Sequence, residues 1–371
     1  MFSLTLIINS MLGVVFLIKG ELSNILKVAF LYMATIIGAG FASGQEIIQF
    51  FSMYYIGGFF GIILAGFLFS MVGCIVLNKV YSDRINNYDE FLFPMMGYFL
   101  GKITEFIVML FMVCIMGVMV AGLGNILMEL TGFEYRYCIV ISALACVLAI
   151  MTNIKGIVTL SSFISPFLIL GIIFVGFYIL ISKDTSVFSI SSKMSVISNN
   201  WVISAILYVS YNTILSTVIL TSMLPYLKTK RVSIWGGLIG GGMLGVTALI
   251  LNCGLYFFYP HSITSELPVL GIIQNNSIAL SNIYSLVLIM AMFTSAVTSG
   301  YCLTERISTK MKVNYKIVAA VLCSLIIPMS SLGFSSLIST LYPVFGYLGL
   351  FLLFIILLQF VKGCISKLQK R

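Results

Sequence analysis

Charge is what this sequence has least of. Asp, Glu, Lys and Arg supply 8% of its 371 residues, histidine occurs once, and 60% of the chain is hydrophobic. So little charge cannot clothe a water-exposed surface, and the apolar runs exceed the roughly 18 residues that mark a membrane-crossing helix. The expected class is an all-α polytopic protein whose main partner is the lipid bilayer. The scarcity also excludes several chemistries. One imidazole, His261 after Pro260, cannot build a metal triad. None of the eight cysteines forms a C-x-x-C pair, and Cys74, Cys114, Cys146, Cys253, Cys302 and Cys323 lie in apolar runs, where cysteine behaves as a small buried hydrophobe. Neither a disulfide framework nor a metal cluster is expected. No Ser-His, Asp-Asp or His-Glu-x-x-His constellation falls in the spans, and the glycines between Gly236 and Gly245 are not followed by Gly-Lys-Ser/Thr, so they read as helix packing and not as a phosphate cradle. The chain is not expected to be an enzyme or to hold a cofactor.

Ten apolar stretches have bilayer length: 28–52, 56–79, 103–128, 137–152, 157–182, 198–226, 233–259, 278–304, 315–332 and 336–361. The net charge of +9 is then a matter of topology, not of a nucleic-acid partner. With the first span starting in the cytoplasm, the outside loops hold only Arg136, Lys183 and Lys193, and the other seventeen of 20 basic residues fall inside. Basic residues gather in cytoplasmic loops, so both ends of the ten-span core are expected in the cytoplasm of a bacterial cell membrane. The stretch Phe2 to Ile18 has no basic residue before its apolar core and no small-residue cleavage site, so it reads poorly as a secretory signal. A marginal extra helix and an untranslated upstream extension are the two readings.

Inside the first span stands Ile37-Gly38-Ala39-Gly40-Phe41-Ala42-Ser43-Gly44-Gln45-Glu46. A helix in lipid must satisfy its own N–H and C=O groups, so glycines, a glutamine and a carboxylate in mid-span make sense where the helix opens toward a protein-lined cavity. Paired half-helices build small-molecule and ion sites at that depth. Glu46 is a functional candidate by its position alone: it is either a fixed anion favoured by the helix dipole or a group that titrates during transport, a coupling or gating residue.

The spans divide into two fives. Residues 1–23 form an N-terminal hydrophobic extension, 24–182 a first five-helix repeat, 183–197 an outside linker, 198–362 a second repeat and 363–371 a basic cytoplasmic tail. An odd number of spans per half inverts one half relative to the other, the plan of several secondary transporters. Span six should then break like span one, and its Tyr208-Val209-Ser210-Tyr211-Asn212-Thr213 patch sits at the corresponding place. It has no glycine, so a hydrogen-bonded kink is the alternative.

The first-span string, the Tyr-x-x-Tyr-Asn of span six and the 5+5 plan resemble the YkvI-type bacterial membrane proteins of the amino acid–polyamine–organocation superfamily, with the LeuT fold. The resemblance runs from about residue 24 to 362. It implies ten core helices with helices 1 and 6 broken, and a carrier for an amino acid or related small organic solute driven by sodium or protons. It also implies a binding site at Gly38, Ala39, Gly40, Phe41 and Ser43 facing Tyr208, Tyr211 and Asn212. There, free amides of the outer half-helix would attract a carboxylate, and carbonyls of the inner one an ammonium group. On span eight, Thr294 to Gly300 carries the Thr-Ser pair that holds sodium in coupled members. Carried over, the ligands are the hydroxyls of Thr298 and Ser299 with the carbonyls of Ala34, Ile37 and Ser295. An all-oxygen set suits a hard monovalent cation, although hydroxyls also bond their own helix or glue helices together. Span five lacks the lysine that replaces sodium in some proton-coupled relatives, which leans toward sodium. The alternative function is a sensor that kept the pocket and lost transport, like the germinant-receptor subunits of the same superfamily.

Overall fold

The computed structural model describes residues 20–152, 169–178, 181, 200–257 and 265–368. Most of span five, the segment 1–19, the linker 183–197 and His261 lie outside the described residues. Helices dominate, and no strand occurs among the described residues. The first span is in three pieces: α1 (Glu21–Ile36), α2 (Ala39–Ala42) and α3 (Gln45–Phe50), followed by a 3-10 turn at Ser52–Tyr54. Then come α4 (Ile56–Asp83), α5 (Tyr88–Thr131), α6 (Tyr135–Thr152) and α7 (Ile169–Tyr178). The second half holds α8 (Trp201–Leu220) with a 3-10 extension at Thr221–Tyr226, α9 (Lys230–Phe257), α10 (Pro268–Asn276), α11 (Ile278–Met311), α12 (Tyr315–Ser330) and α13 (Phe334–Leu368).

Among the described residues six helices are long and apolar enough to cross a membrane: α4, α5, α8 with its extension, α9, α11 and α13. Polar residues just outside the apolar runs start several of them. Asn200 accepts from Val202 N at 2.8 Å, Asn314 from Lys316 N at 2.9 Å and Asn87 from Glu90 N at 2.9 Å, each satisfying an amide that a helix start leaves bare. Span three begins earlier than its apolar run. Tyr88 to Met96 is already helical, and Gly97, at φ 75°, turns the chain into the membrane-crossing part. The short α10, opened by Pro268, lies between spans seven and eight where the sequence reading had only a loop.

Two sets of helices emerge from the packing. In one, α4 and α9 meet backbone to backbone: a Cβ on Gly66 would lie 3.0 Å from Gly245 Cα, one on Gly73 3.1 Å from Gly237 Cα, and one on Gly241 would run into the main chain of Ser70. Gly240 lets α9 reach α1 at Ala29, and Tyr32 of α1 donates to Phe69 O of α4 at 2.9 Å. Small residues allow this approach, and dispersion holds it in the absence of a hydrophobic drive within lipid. In the other set Tyr135 of α6 donates to Ser330 O of α12 at 3.0 Å, Ser330 to Gly117 O of α5 at 2.9 Å, and Tyr315 of α12 to Ile150 O of α6 at 3.1 Å. Helix α13 leans on α8, with Gly346 against Leu207 and Gly349 against the Ser210 main chain.

Candidate functional site

The first span breaks where its glycines stand, and the break is shorter than the ten-residue string. Helix α1 stops because Ile37 turns to ψ 84° and Gly38 is extended, at φ −99° and ψ −171°. Ile37 N still reaches Met33 O at 2.8 Å, and Gly38 N reaches Ile36 O at 2.8 Å. The helix restarts at Ala39, bends at Gly44 and restarts again at Gln45. Gly44 has φ 84°, a left-handed conformation that other residues adopt at a cost. Ser43 bridges that bend, donating to Gly40 O at 2.9 Å and accepting from Gln45 N at 3.3 Å. Amides at the start of α2, Ala39 to Phe41, have no intrahelical acceptor. The carbonyls at its end are taken by other elements: Tyr284 of α11 donates to Ala42 O at 2.7 Å, and Val269 N of α10 to Ser43 O at 3.0 Å. Ala39, Gly40, Phe41, Ser43 and Glu46 are buried, and Gly38 is half-buried.

Span six differs from the expectation. Helix α8 runs unbroken through Tyr208 to Thr213 and loosens only at Thr221, so the expected break in helix 6 is corrected here to a continuous helix. The reason lies in the same polar residues that suggested a break. Ser210 donates to Ile206 O at 2.7 Å, Asn212 to Tyr208 O at 3.0 Å, Thr213 to Val209 O at 2.7 Å and Thr217 to Thr213 O at 2.6 Å. Each returns to a carbonyl of its own helix, and without a glycine no main-chain group is released. Asn212 therefore spends one of its two N–H donors inside α8.

Tyr208 and Tyr211 do meet the first span, through side chains. Tyr208 packs on Phe50 at 5.3 Å and on Phe51 at 4.9 Å between ring centroids, and Tyr211 on Phe50 at 5.5 Å. The cluster continues to Phe69 of α4, to Phe111 of α5, and to Tyr342 of α13, which lies 4.9 Å from Tyr211. Glu46 enters it from α3. Its carboxylate, 4% exposed, accepts from the Tyr211 hydroxyl at 2.7 Å and folds back over Gly40, where a Cβ would collide with it. Tyr208, 2% exposed, turns its buried hydroxyl toward the same carboxylate without reaching good hydrogen-bond geometry. Beside the cluster, Phe41, Phe51, Phe69, Tyr208 and Leu244 line an apolar void of about 10 Å³, the room of about one water.

The sequence reading did not find Phe111, Tyr342 or Phe50. All are aromatics in spans rich in aromatics, and nothing local in the chain marks which of them point inward. The cation ligands stand differently. Ser295, Thr298, Ser299 and Ala34 are half-buried and Ile37 is buried. Tyr284 of α11 bonds the first span about four turns before Thr298 and Ser299, and the sodium site rests on the resemblance.

Two polar clusters flank the aromatic core. Glu266, just before α10, accepts from Ser335 N at 2.7 Å and from Asn125 Nδ2 at 3.5 Å, while Gln45 donates to the Ser335 hydroxyl at 2.5 Å. This chain of contacts joins the outer half of span one to α5, α10 and α13. Toward the opposite ends of α5 and α11, Glu105 is 3% exposed and holds Lys102 at 3.1 Å, Arg306 Nε at 2.8 Å and Lys310, with Asp89 also on Arg306 at 3.1 Å. Glu105 is the buried centre of an ionic knot, a role set by cations 201 and 205 positions away in the chain.

No family model matches the chain. It is similar to two proteins of Bacillus subtilis (strain 168): the uncharacterized membrane protein YkvI, 28% identical over 338 residues that are 90% of this chain and 94% of the relative, and the uncharacterized protein YyaD, 28% identical over 342 residues, 90% and 96%. Among solved structures it is similar to a sodium-coupled sialic acid symporter (TM-score 0.57, 13% identity, 87% of this chain and 75% of that one). It also resembles a manganese transporter of Eremococcus coleocola (0.56, 16%, 89% and 77%) and MhsT in complex with L-phenylalanine (0.55, 14%, 89% and 87%). The first two of these structures are of a symporter and a transporter. The chain is an all-helical transmembrane protein with the fold they share.

Proposed function

We propose that this chain is a secondary active transporter that moves an amino acid or related small organic solute by alternating access, coupled to sodium or to protons. The observation that carries the reading is the interrupted first span, buried in mid-protein with open amides at Ala39 to Phe41, and packed against the Tyr208 and Tyr211 side chains and Glu46. Backbone left open at membrane depth is tolerated where it lines a site, and solved structures of similar fold include a transporter and a symporter. In this reading ten core helices form two inverted fives, the core's ends face the cytoplasm of the cell membrane, and the solute binds beside Gly38, Ala39, Gly40, Phe41 and Ser43 with Tyr208 and Tyr211 opposite. Ala34, Ile37, Ser295, Thr298 and Ser299 supply the sodium site. A continuous α8 shifts the work of span six from its backbone to its side chains, and Asn212 gives one N–H to the helix and stays in the proposed solute site with the other.

Uptake of labelled amino acids into proteoliposomes, with and without an inward sodium gradient, tests this. Gradient-driven accumulation is the expected result. Binding without accumulation would make the protein a ligand sensor instead.

A further inference from the structure

We infer that an anionic phospholipid binds where α5 begins and α11 ends, with its phosphate between the Lys102 and Lys310 ammonium groups and an acyl chain along Phe99, Ile103 and Phe106 of α5. The inference needs α5 to cross the bilayer and is independent of what the protein transports.

A bend in the chain builds the place. Tyr88 to Met96 forms an elbow before Gly97, at φ 75°, turns α5 into its membrane-crossing part. One face of the elbow, Tyr88, Phe91, Leu92 and Met96, is buried in the protein, while Asp89 and Glu90 are exposed. Exposed carboxylates are costly in hydrocarbon, so the elbow sits at the membrane surface. It folds back on the crossing part: a Cβ on Gly101 would lie 2.6 Å from the Phe93 ring. Just after the bend Tyr98 and Phe99 are each 75% exposed, and Ile103 and Phe106 are exposed as well. Positions 99, 103 and 106 share one face of a helix, so they form an apolar stripe leading from the bend into the bilayer.

Charge at the head of that stripe is unbalanced. Lys102, Arg306 and Lys310 share Glu105 and Asp89, three cations on two carboxylates. Glu90 is turned to the start of the elbow, where it accepts from Asn86 N and Asn87 Nδ2 at 2.8 Å each. Beyond the knot Lys312 and Lys316 are exposed, against Glu305. The Lys102 and Lys310 side chains remain 42% and 45% exposed, and an ammonium that gives one N–H to Glu105 has two more to give. Lys102 also lies over the Phe93 and Tyr98 rings at 5.3 and 5.6 Å, which holds it beside the stripe.

Donors of positive charge above an apolar, lipid-facing stripe fit a phosphate diester that carries an acyl chain. A free phosphate would leave the stripe unused, and a zwitterionic lipid would bring its own cation to a place that already has a surplus. On the proposed topology this end faces the cytoplasm, the side whose leaflet attracts basic segments through its anionic lipids.

Intact-complex mass spectrometry of the purified full-length protein in a neutral detergent tests this, with phosphatidylglycerol, phosphatidylcholine of the same acyl chains, or inorganic phosphate added. Phosphatidylglycerol is expected to bind about tenfold better than phosphatidylcholine, and inorganic phosphate to leave its occupancy unchanged. Lys102→Gln combined with Lys310→Gln is expected to lower phosphatidylglycerol occupancy about tenfold without changing that of phosphatidylcholine. Equal binding of the two lipids overturns the proposal, as does a double variant that keeps the preference or displacement of the lipid by inorganic phosphate. Should the double variant not fold, a phosphatidylglycerol with a photoreactive acyl chain decides on the parent protein. Its label must exceed that of the matching phosphatidylcholine on the peptide holding Phe99 to Phe106, and equal labelling there overturns the assignment.

Discussion

Gly40 and Glu46 are adjusted to each other. The carboxylate lies where a side chain on residue 40 would begin, so Gly40→Ala has to push Glu46 off Tyr211 or move the helix. Overpacking of this kind costs about 1–3 kcal/mol, and thermal unfolding of Gly40→Ala is expected to show it together with a loss of most uptake. Tyr211→Phe probes the other side of the same contact. It removes the hydroxyl that satisfies Glu46 while keeping the ring, and a buried group short of one hydrogen bond should lower stability by about 1–3 kcal/mol in the same assay. If Tyr211→Phe unfolds like the parent protein, the carboxylate has another donor. How much of this was legible in the sequence differs residue by residue. Glu46 and the glycines stood out because a membrane span has few reasons to contain them. Tyr342 and Phe111 did not, because their meaning comes from a ring on another helix and not from their own neighbours in the chain.

At the scale of elements, the first and sixth spans show why one break was readable and the other misread. Glycine gives the backbone freedom at Gly38 and Gly44, whereas hydroxyls and an amide in lipid are equally able to bond the helix that bears them, as Ser210, Asn212 and Thr213 do. The distinction is measurable by hydrogen exchange. Amides of Ala39 to Phe41, which start a four-residue helix, are expected to exchange at least tenfold faster than those of Tyr208 to Asn212, in mid-helix. Comparable protection in the two segments would contradict the structure of the first span. Helix α10 escaped the sequence reading because nine residues are too few to register as a span, although Pro268 marks its start. Its Val269 amide on Ser43 O couples that outer segment to the interruption.

For the whole molecule, the apolar stretches were legible as helices, since bilayer thickness imposes them on composition, while their ends were not, as at Glu21 and Tyr88, where the first and third spans begin. The grouping of helices was not, because it depends on pairs such as Tyr135 with Ser330 and Glu105 with Arg306 that lie far apart in sequence. The ionic knot at Glu105 ties α5 to α11. Glu105→Ala should lower stability by roughly 1–3 kcal/mol, less than the roughly 3–5 of a fully buried pair, because Lys102 and Lys310 keep access to water. An unchanged unfolding temperature would show the knot to be incidental. The basic-residue asymmetry makes a topological claim that fusions can check: a C-terminal fluorescent reporter should fold in the cytoplasm, and an alkaline phosphatase fused near residue 265 should be active outside.

The glycine seam of α4 and α9 restricts how such a body can move. Where two main chains touch, there is no side chain to swing aside, so the pair turns as one rigid block and takes α1 with it at Ala29. In the proposed transport cycle, solute entry then parts the molecule on the far side of α8, where Tyr211 faces Phe111 and Tyr342. A small compound wedged among those three rings is the way to stall it.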